Sequence, residues 1–272
     1  MAKVTLSQPL VSMSWLHDNL EAENLIVLNG TINKQVDEND QQIPNSRFFD
    51  IKNKFSETAA PFPSTFPSEG QFEKEAQALG INKDSAIVVS DDKGIYSSAR
   101  VWWLFKAFGF DNIAVLDGGL PDWKKAGYKT VPMKYYTGEL GNFKATYKPE
   151  LMLFFEGMKI ASATKSHTII DARSEKRFKR LEPEPRAGLR MGTIPNSVNL
   201  PFEDVLEDNQ FITKNALQAK FQKLAKRDEP LIFSCGSGLT ACVLALGATM
   251  AGYKNISVYD GSWTEWGSLV KE

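Results

Sequence analysis

A chain of 272 residues exceeds one average domain and suits two, each able to bury its own core. Its 42% apolar and 24% charged residues are ordinary for a soluble globular protein, and a net charge of −1 argues against a nucleic-acid or membrane surface. Two cysteines (Cys235 and Cys242) and two distant histidines (His17 and His167) speak against a disulfide framework and a metal site, so no cofactor is expected. No apolar run reaches the ~18 residues of a membrane span, and Met1 to Met13 lacks the apolar core of a signal peptide. The expected location is the cytosol.

Taken in chain order, apolar runs predict strands at Leu25–Leu28 and Ala86–Val89, a helix over Tyr96–Phe108 and a strand at Ile113–Leu116. Turn signals gather at Thr137-Gly138 and Gly141-Asn142, and Lys148-Pro149 closes that stretch, so a domain boundary is placed at about 140. The second half predicts strands at Thr168–Asp171 and Ser197–Leu200, then a helix capped by Thr213 and running to Ala225. A strand at Leu231–Ser234, an apolar helix over Leu239–Ala251 stopped by Gly252, and a strand at Ile256–Tyr259 complete it.

The two halves share landmarks in the same order. Ile43-Pro44-Asn45-Ser46 recurs as Ile194-Pro195-Asn196-Ser197. Gly109-Phe110-Asp111-Asn112-Ile113 is echoed by Gly252-Tyr253-Lys254-Asn255-Ile256, and Asp117-Gly118-Gly119 by Asp260-Gly261-Ser262. Long repeats of this kind mean a duplicated domain rather than a solenoid. Strands alternating with helices predict, in domains 1–140 and 141–272, an α/β fold with a mainly parallel sheet covered on both faces. Sites in such sheets lie beyond the carboxyl ends of the strands.

Cys235 sits at such an end, directly after one predicted strand and before one predicted helix. The joining segment is Cys235-Gly236-Ser237-Gly238-Leu239-Thr240. Two glycines permit a tight loop whose successive amides turn inward as an anion-binding nest, and the helix N-terminus adds partial positive charge. Both effects favour the thiolate, the nucleophilic form of cysteine. Cys242, among Ala241, Val243 and Leu244, reads as core. In the first half Asp91 stands where Cys235 stands, so that domain lacks a nucleophile and is expected to wall a cleft between domains.

With these residues the chain resembles the rhodanese superfamily, and within it the tandem-domain 3-mercaptopyruvate sulfurtransferases. The resemblance runs through Ser97-Ser98-Ala99-Arg100-Val101-Trp102-Trp103, Leu116-Asp117-Gly118-Gly119, Glu182-Pro183-Glu184-Pro185-Arg186, and Tyr259-Asp260-Gly261-Ser262-Trp263. Its centre is Cys-Gly-Ser-Gly-Leu-Thr at 235–240; thiosulfate enzymes of the superfamily carry Arg and Lys where Gly236 and Ser237 stand. The resemblance implies two tandem rhodanese-like domains and a Cys235 persulfide cradled by Gly236, Ser237, Gly238, Leu239 and Thr240. It implies substrate arginines at Arg177 and Arg186 and a proton-relaying hydroxyl at Ser237. It further implies a small-molecule sulfur donor and a thiol acceptor, thioredoxin-like proteins included.

The neutral pair has a physical meaning. Thiosulfate is a dianion with an anionic leaving group, which Arg and Lys assist. 3-Mercaptopyruvate brings one carboxylate, and its departing enolate needs a proton. The chain departs from the family at Lys52, after Phe48-Phe49-Asp50-Ile51, where an acidic relay residue is usual. Asp50 is the substitute candidate for that relay, and Lys52 is a candidate for charge toward the substrate. Three rival readings remain: a thiosulfate sulfurtransferase, a sulfur carrier without turnover, and a cysteine phosphatase. The phosphatase needs an arginine where Ala241 stands.

Overall fold

The computed structural model describes residues 2–271. Contacts divide the chain into two units. The first comprises 1–58, 66–148 and 208–210; the second comprises 59–65, 149–207 and 211–272. The chain thus leaves the first unit at Lys148 rather than at 140, and each half lends a short segment to the other unit.

The reason for the later crossing lies in Phe143. It is buried, and its ring packs edge-on against Phe105 and Phe72, at centroid distances of 5.6 and 5.8 Å. The Phe143 amide also bonds Ile81 O at 2.9 Å. Residues 141–148 therefore complete the aromatic core of the first unit. We expect Phe143→Ala to lower stability by about 3–5 kcal/mol, as burial of an aromatic predicts. Thermal and denaturant unfolding measure it; a loss below about 1 kcal/mol would mark this stretch as a loose linker.

In the first unit five parallel strands, β1 (Leu10–Val11), β2 (Leu25–Asn29), β3 (Ser46–Phe48), β4 (Ala86–Ser90) and β5 (Ile113–Leu116), lie in the order β1-β5-β4-β2-β3. In the second, β6 (Met152–Leu153), β7 (Thr168–Asp171), β8 (Ser197–Asn199), β9 (Leu231–Ser234) and β10 (Ile256–Tyr259) lie in the order β6-β10-β9-β7-β8, also parallel. The two orders are the same topology. The copies agree down to the backbone: Asn45 and Asn196, in the repeated tetrapeptide, both take left-handed φ, at 62° and 63°. Asparagine is among the few non-glycine residues at home there. Two short antiparallel ribbons, Gln41–Gln42 with Val131–Pro132 and Leu206–Glu207 with Gln210–Phe211, lie outside the sheets.

The first unit's helices are α1 (Met13–Asn19), α2 (Glu69–Ala78), α3 (Ser98–Ala107) and α4 (Gly119–Lys125). The second unit adds α5 (Phe155–Thr164), α6 (Glu175–Phe178), α7 (Lys214–Gln222), α8 (Ala241–Ala251) and α9 (Ser262–Leu269). Side chains alternate across a strand, so a strand buried on both faces needs cover on both. On β9, Ile232 packs with Met158 of α5 and Trp263 of α9, while the next residue, Phe233, meets Phe221 of α7 edge-on. In the first unit Val88 of β4 packs with Leu16 of α1 and Trp123 of α4. Phe72 of α2 and Phe105 of α3 meet edge-on at 5.0 Å, within the aromatic cluster that also takes in Phe143. Among the described residues no helix is long and apolar enough to cross a membrane.

Candidate active site

β9 ends at Ser234, and Cys235 is the next residue. The helix expected from Leu239 starts at Ala241, because Gly238 takes a left-handed φ of 74° and Leu239 and Thr240 finish the turn. The amides of Cys242 and Val243 close that turn on the carbonyls of Leu239 and Thr240, each at 3.1 Å. Cys242 itself is buried in α8, its thiol on the Gly238 carbonyl at 3.3 Å, as a core residue.

The loop is held from one side by the start of α9. Trp263 N donates to Cys235 O at 2.9 Å; Thr264 N and Oγ1 donate to Gly236 O at 2.9 and 2.6 Å. A trans peptide is planar, with its carbonyl and the following N–H opposed. With the carbonyls of Cys235 and Gly236 turned toward α9, the amides of Gly236 and Ser237 point away from it. Among the described residues neither of those amides, nor those of Leu239 and Thr240, bonds to a protein acceptor. The segment thus offers free N–H groups beside the sulfur, at the N-terminus of α8.

Ser262 completes this arrangement, and sequence reasoning missed it. Its Oγ accepts from Cys235 N at 3.0 Å and from Gly238 N at 3.1 Å. Its single proton has two acceptors in view, Tyr259 O at 2.9 Å and Cys235 Sγ at 3.9 Å. Ser262 is wholly buried with a φ of 51°, an uncommon conformation for a residue with a side chain. A signal was present in the repeat: Asp-Gly-Gly in the first copy becomes Asp-Gly-Ser in the second, in step with the change from Asp91 to Cys235.

The first unit shows what the same turn does without the thiol. Leu120 N bonds Asp91 O at 3.0 Å, the counterpart of the bond from Trp263 to Cys235. Gly119 holds the place of Ser262 at a φ of 56° but has no hydroxyl. The Asp91 carboxyl instead gathers the amides of Lys93, Tyr96 and Ser98 at 2.8, 2.9 and 2.8 Å. Burial pushes this carboxyl up, and the amides pull the other way without cancelling the shift.

Arg177 lies against the cysteine loop. It sits on α6, which Ser174 caps by accepting from Arg177 N at 3.3 Å. A Cβ on Gly236 would stand 3.1 Å from Arg177 Nη2, so the guanidinium passes close over that glycine. Arg177 Nη2 donates to Glu184, whose other oxygen takes Arg173 Nη1 at 2.7 Å. Arg173 is fully buried; Nε and Nη2 grip Asp171 at 2.6–3.1 Å, Nη2 reaches Gly192 O at 2.9 Å, and the guanidinium lies 4.8 Å from the Trp263 ring centre. Burial alone would lower the Arg173 pKa, but the two carboxylates outweigh it and hold the group above its ordinary value. Asp171 in turn ends β7 and pairs in register with Ser234. A continuous chain of charge therefore runs from the end of the sheet to the guanidinium over Gly236. Glu203 also feels that guanidinium; burial raises its carboxyl, and Arg177 opposes the rise.

The other expected residues are placed as follows. Ser237 is partly exposed, and its hydroxyl bonds to nothing among the described residues, so it does not cap the loop. Leu239 and Thr240 are buried at the loop's end. Arg186 is exposed, and its guanidinium pairs with no described residue. Within the first unit Asp50 caps a turn, its Oδ1 accepting from Asn53 N at 3.0 Å and Asn53 Nδ2 at 3.1 Å. Lys52 is exposed on that turn and forms no ion pair among the described residues. No group of three or more His, Cys, Asp or Glu among the described residues is disposed to hold a metal ion.

Two α/β units of one topology, one of them with a cysteine at the head of an amide-lined loop, are the features to set beside known proteins. The Rhodanese-like domain model matches residues 12–126 and again 158–269. The chain is 35% identical to thiosulfate/3-mercaptopyruvate sulfurtransferase 1, mitochondrial, of Arabidopsis thaliana, over 97% of this chain and 77% of that protein. It is 34% identical to human 3-mercaptopyruvate sulfurtransferase, over 98% of this chain and 94% of that one. Its fold matches the crystal structure of SseA from Escherichia coli with a TM-score of 0.82 at 28% identity, covering 94% of this chain and 99% of SseA. The chain belongs to the rhodanese family, as a tandem-domain sulfurtransferase.

Proposed function

We propose that the chain takes sulfur from 3-mercaptopyruvate onto Cys235 and passes it to a thiol or to cyanide. The observation that carries this reading is the loop of 235–240, with the amides of Gly236, Ser237, Leu239 and Thr240 unspent, Arg177 over Gly236, and no cation of its own.

The Cys235 thiolate attacks the sulfur of the donor. A sulfur–sulfur bond forms, the carbon–sulfur bond breaks, and its electron pair leaves on carbon as the enolate of pyruvate. Ser237, whose hydroxyl is uncommitted, lies beside that position and relays the proton that completes pyruvate. Arg177 and Arg186 take the carboxylate and the adjacent carbonyl, a task suited to the planar guanidinium fork. The Cys235 persulfide rests against the free amides of Gly236, Ser237, Leu239 and Thr240. Asp91 in the first copy supports that role, since an equivalent turn collects amides around carboxyl oxygens. An acceptor thiolate then attacks the outer sulfur and restores the Cys235 thiolate, a ping-pong sequence. A small thiol or a thioredoxin-like dithiol serves as acceptor, in a reducing compartment such as the cytosol.

Charge separates the donors. Glu184 already neutralises much of the charge on Arg177, and Gly236 and Ser237 add none. One carboxylate suits such a site better than a dianion. Steady-state turnover with each donor, using cyanide and then a dithiol as acceptor, tests this. The expected kcat/KM for 3-mercaptopyruvate exceeds that for thiosulfate by at least ~10-fold, the worth of one charged hydrogen bond. Preference for thiosulfate would overturn the donor, and a single loading without turnover would make the chain a carrier.

A further inference from the structure

The first unit holds a partly buried cation that no carboxylate among the described residues pairs with. Arg47, on β3, has its guanidinium 4.2 Å from the Tyr136 ring centre, and Nη1 donates to the Leu79 carbonyl. Burial lowers its pKa, and the influence opposing this is Tyr136, not an acid. Desolvated charges in proteins are ordinarily paired, because leaving them alone is expensive.

Arg47 lines an open cavity of about 420 Å³, together with Ser46, Lys134 and Glu21. Ser46 is 8% exposed, and its Oγ has no partner among the described residues. The duplicated copy shows that this is a choice. There Ser197 stands at the same point of the same turn, with its amide on Ile194 O at 3.2 Å as Ser46 N is on Ile43 O, also at 3.2 Å. Ser197 Oγ donates to Ile194 O at 2.6 Å, whereas Ser46 Oγ does not bond the matching carbonyl. The residue after it is Arg47 in the first copy and Val198 in the second. The orphan hydroxyl and the unpaired guanidinium therefore occur together, in the one copy. Lys134, on the same wall, is exposed and unpaired among the described residues. The acid on the wall, Glu21, is exposed and does not bond Arg47.

We propose that this cavity binds a small oxyanion, a carboxylate or a phosphate group, on Arg47, Ser46 and Lys134. The guanidinium presents the donors that Leu79 does not use, in a fork that matches two oxygens. Tyr136 holds that fork flat beforehand, which reduces the ordering cost of binding. Ser46 Oγ supplies a third donor, and Lys134 adds charge at the mouth. The site belongs to the first unit and uses none of the groups of the sulfur-transfer reading.

Titration of the full chain with inorganic phosphate and, separately, acetate, at constant ionic strength set by chloride, tests this by calorimetry. Saturable binding of either anion by the wild type is expected, and whichever binds identifies the group. Affinity should fall by at least ~10-fold in Arg47→Met and by several-fold in Ser46→Ala and Lys134→Gln, the scale of charged hydrogen bonds. Sulfur loading of Cys235 should stay unchanged in all three. Absence of saturable binding of both anions would overturn the site. So would equal affinity in the wild type, Ser46→Ala and Lys134→Gln; these two variants decide the matter should Arg47→Met not fold.

Discussion

Cys235→Ser should abolish sulfur transfer, lowering turnover by at least ~10³-fold, the scale on which nucleophile removal acts in other enzymes. Serine is nearly the size of cysteine, and its backbone amide can still meet Ser262 Oγ, which the native residue reaches at 3.0 Å. The backbone bonds from Trp263 and Thr264 to the loop are also untouched. The fold should therefore persist, with an unchanged thermal midpoint. What disappears is the atom proposed to accept sulfur, since a hydroxyl neither ionises usefully nor forms a persulfide. Intact mass after incubation with 3-mercaptopyruvate should show one added sulfur on the wild type and none on the variant. Cys242→Ala, at a thiol buried in α8, should load as the wild type does. Full loading of Cys235→Ser, or loss of loading in Cys242→Ala with the fold intact, would move the chemistry away from Cys235.

Arg173→Met should cost about 3–5 kcal/mol of stability, the penalty for breaking a buried ion pair from one side. The residue is fully buried, and its guanidinium bonds Asp171, Glu184 and the Gly192 carbonyl at once. Removing it strands the Asp171 carboxylate and leaves Glu184 to Arg177 alone, and both carboxylate side chains are 1% exposed. Methionine fills much of the volume, so the loss reports charge rather than a cavity. The thermal midpoint should fall by roughly 10–20 °C. Arg173→Lys should recover little of this, because one ammonium cannot span partners on three sides. Glu184 also fixes Arg177, so the variant should show a raised KM for 3-mercaptopyruvate beyond its loss of active protein. A stability change under about 1 kcal/mol would show that the charge chain is not structural.

Much of this molecule is legible in residue order. Apolar runs bounded by turn residues placed the principal strands within a residue or two, because a strand buried on both faces has nowhere to put a polar side chain. The repeated tetrapeptide and the paired Asp-Gly landmarks disclosed the duplication, and the sheet order bears it out in both copies. The Gly-rich joint between a strand and a helix singled out Cys235, because only such a joint lets consecutive amides face one atom.

Other features have no local signature. The domain boundary moved to Lys148 because Phe143 has a place in the first core, which no turn signal reveals. By residue order Arg177 is one member of a basic run with Lys176 and Lys179; the family resemblance marks it, and the approach of α6 to Gly236 puts it beside the cysteine loop. Nothing in the sequence joins Arg173, Glu184 and Asp171 until the fold buries them together. Ser262 meets Cys235 across two elements of the chain, and Ser46 and Arg47 lie on their cavity only because residues near 134–138 fold over β3. Residue order alone thus determined the elements, their duplication and the candidate thiol, because periodicity and turn chemistry act between neighbours. Which side chains surround that thiol, and which charges are buried or left unpaired, was decided by tertiary contacts alone, because desolvation depends on what packs nearby and not on what stands next in line.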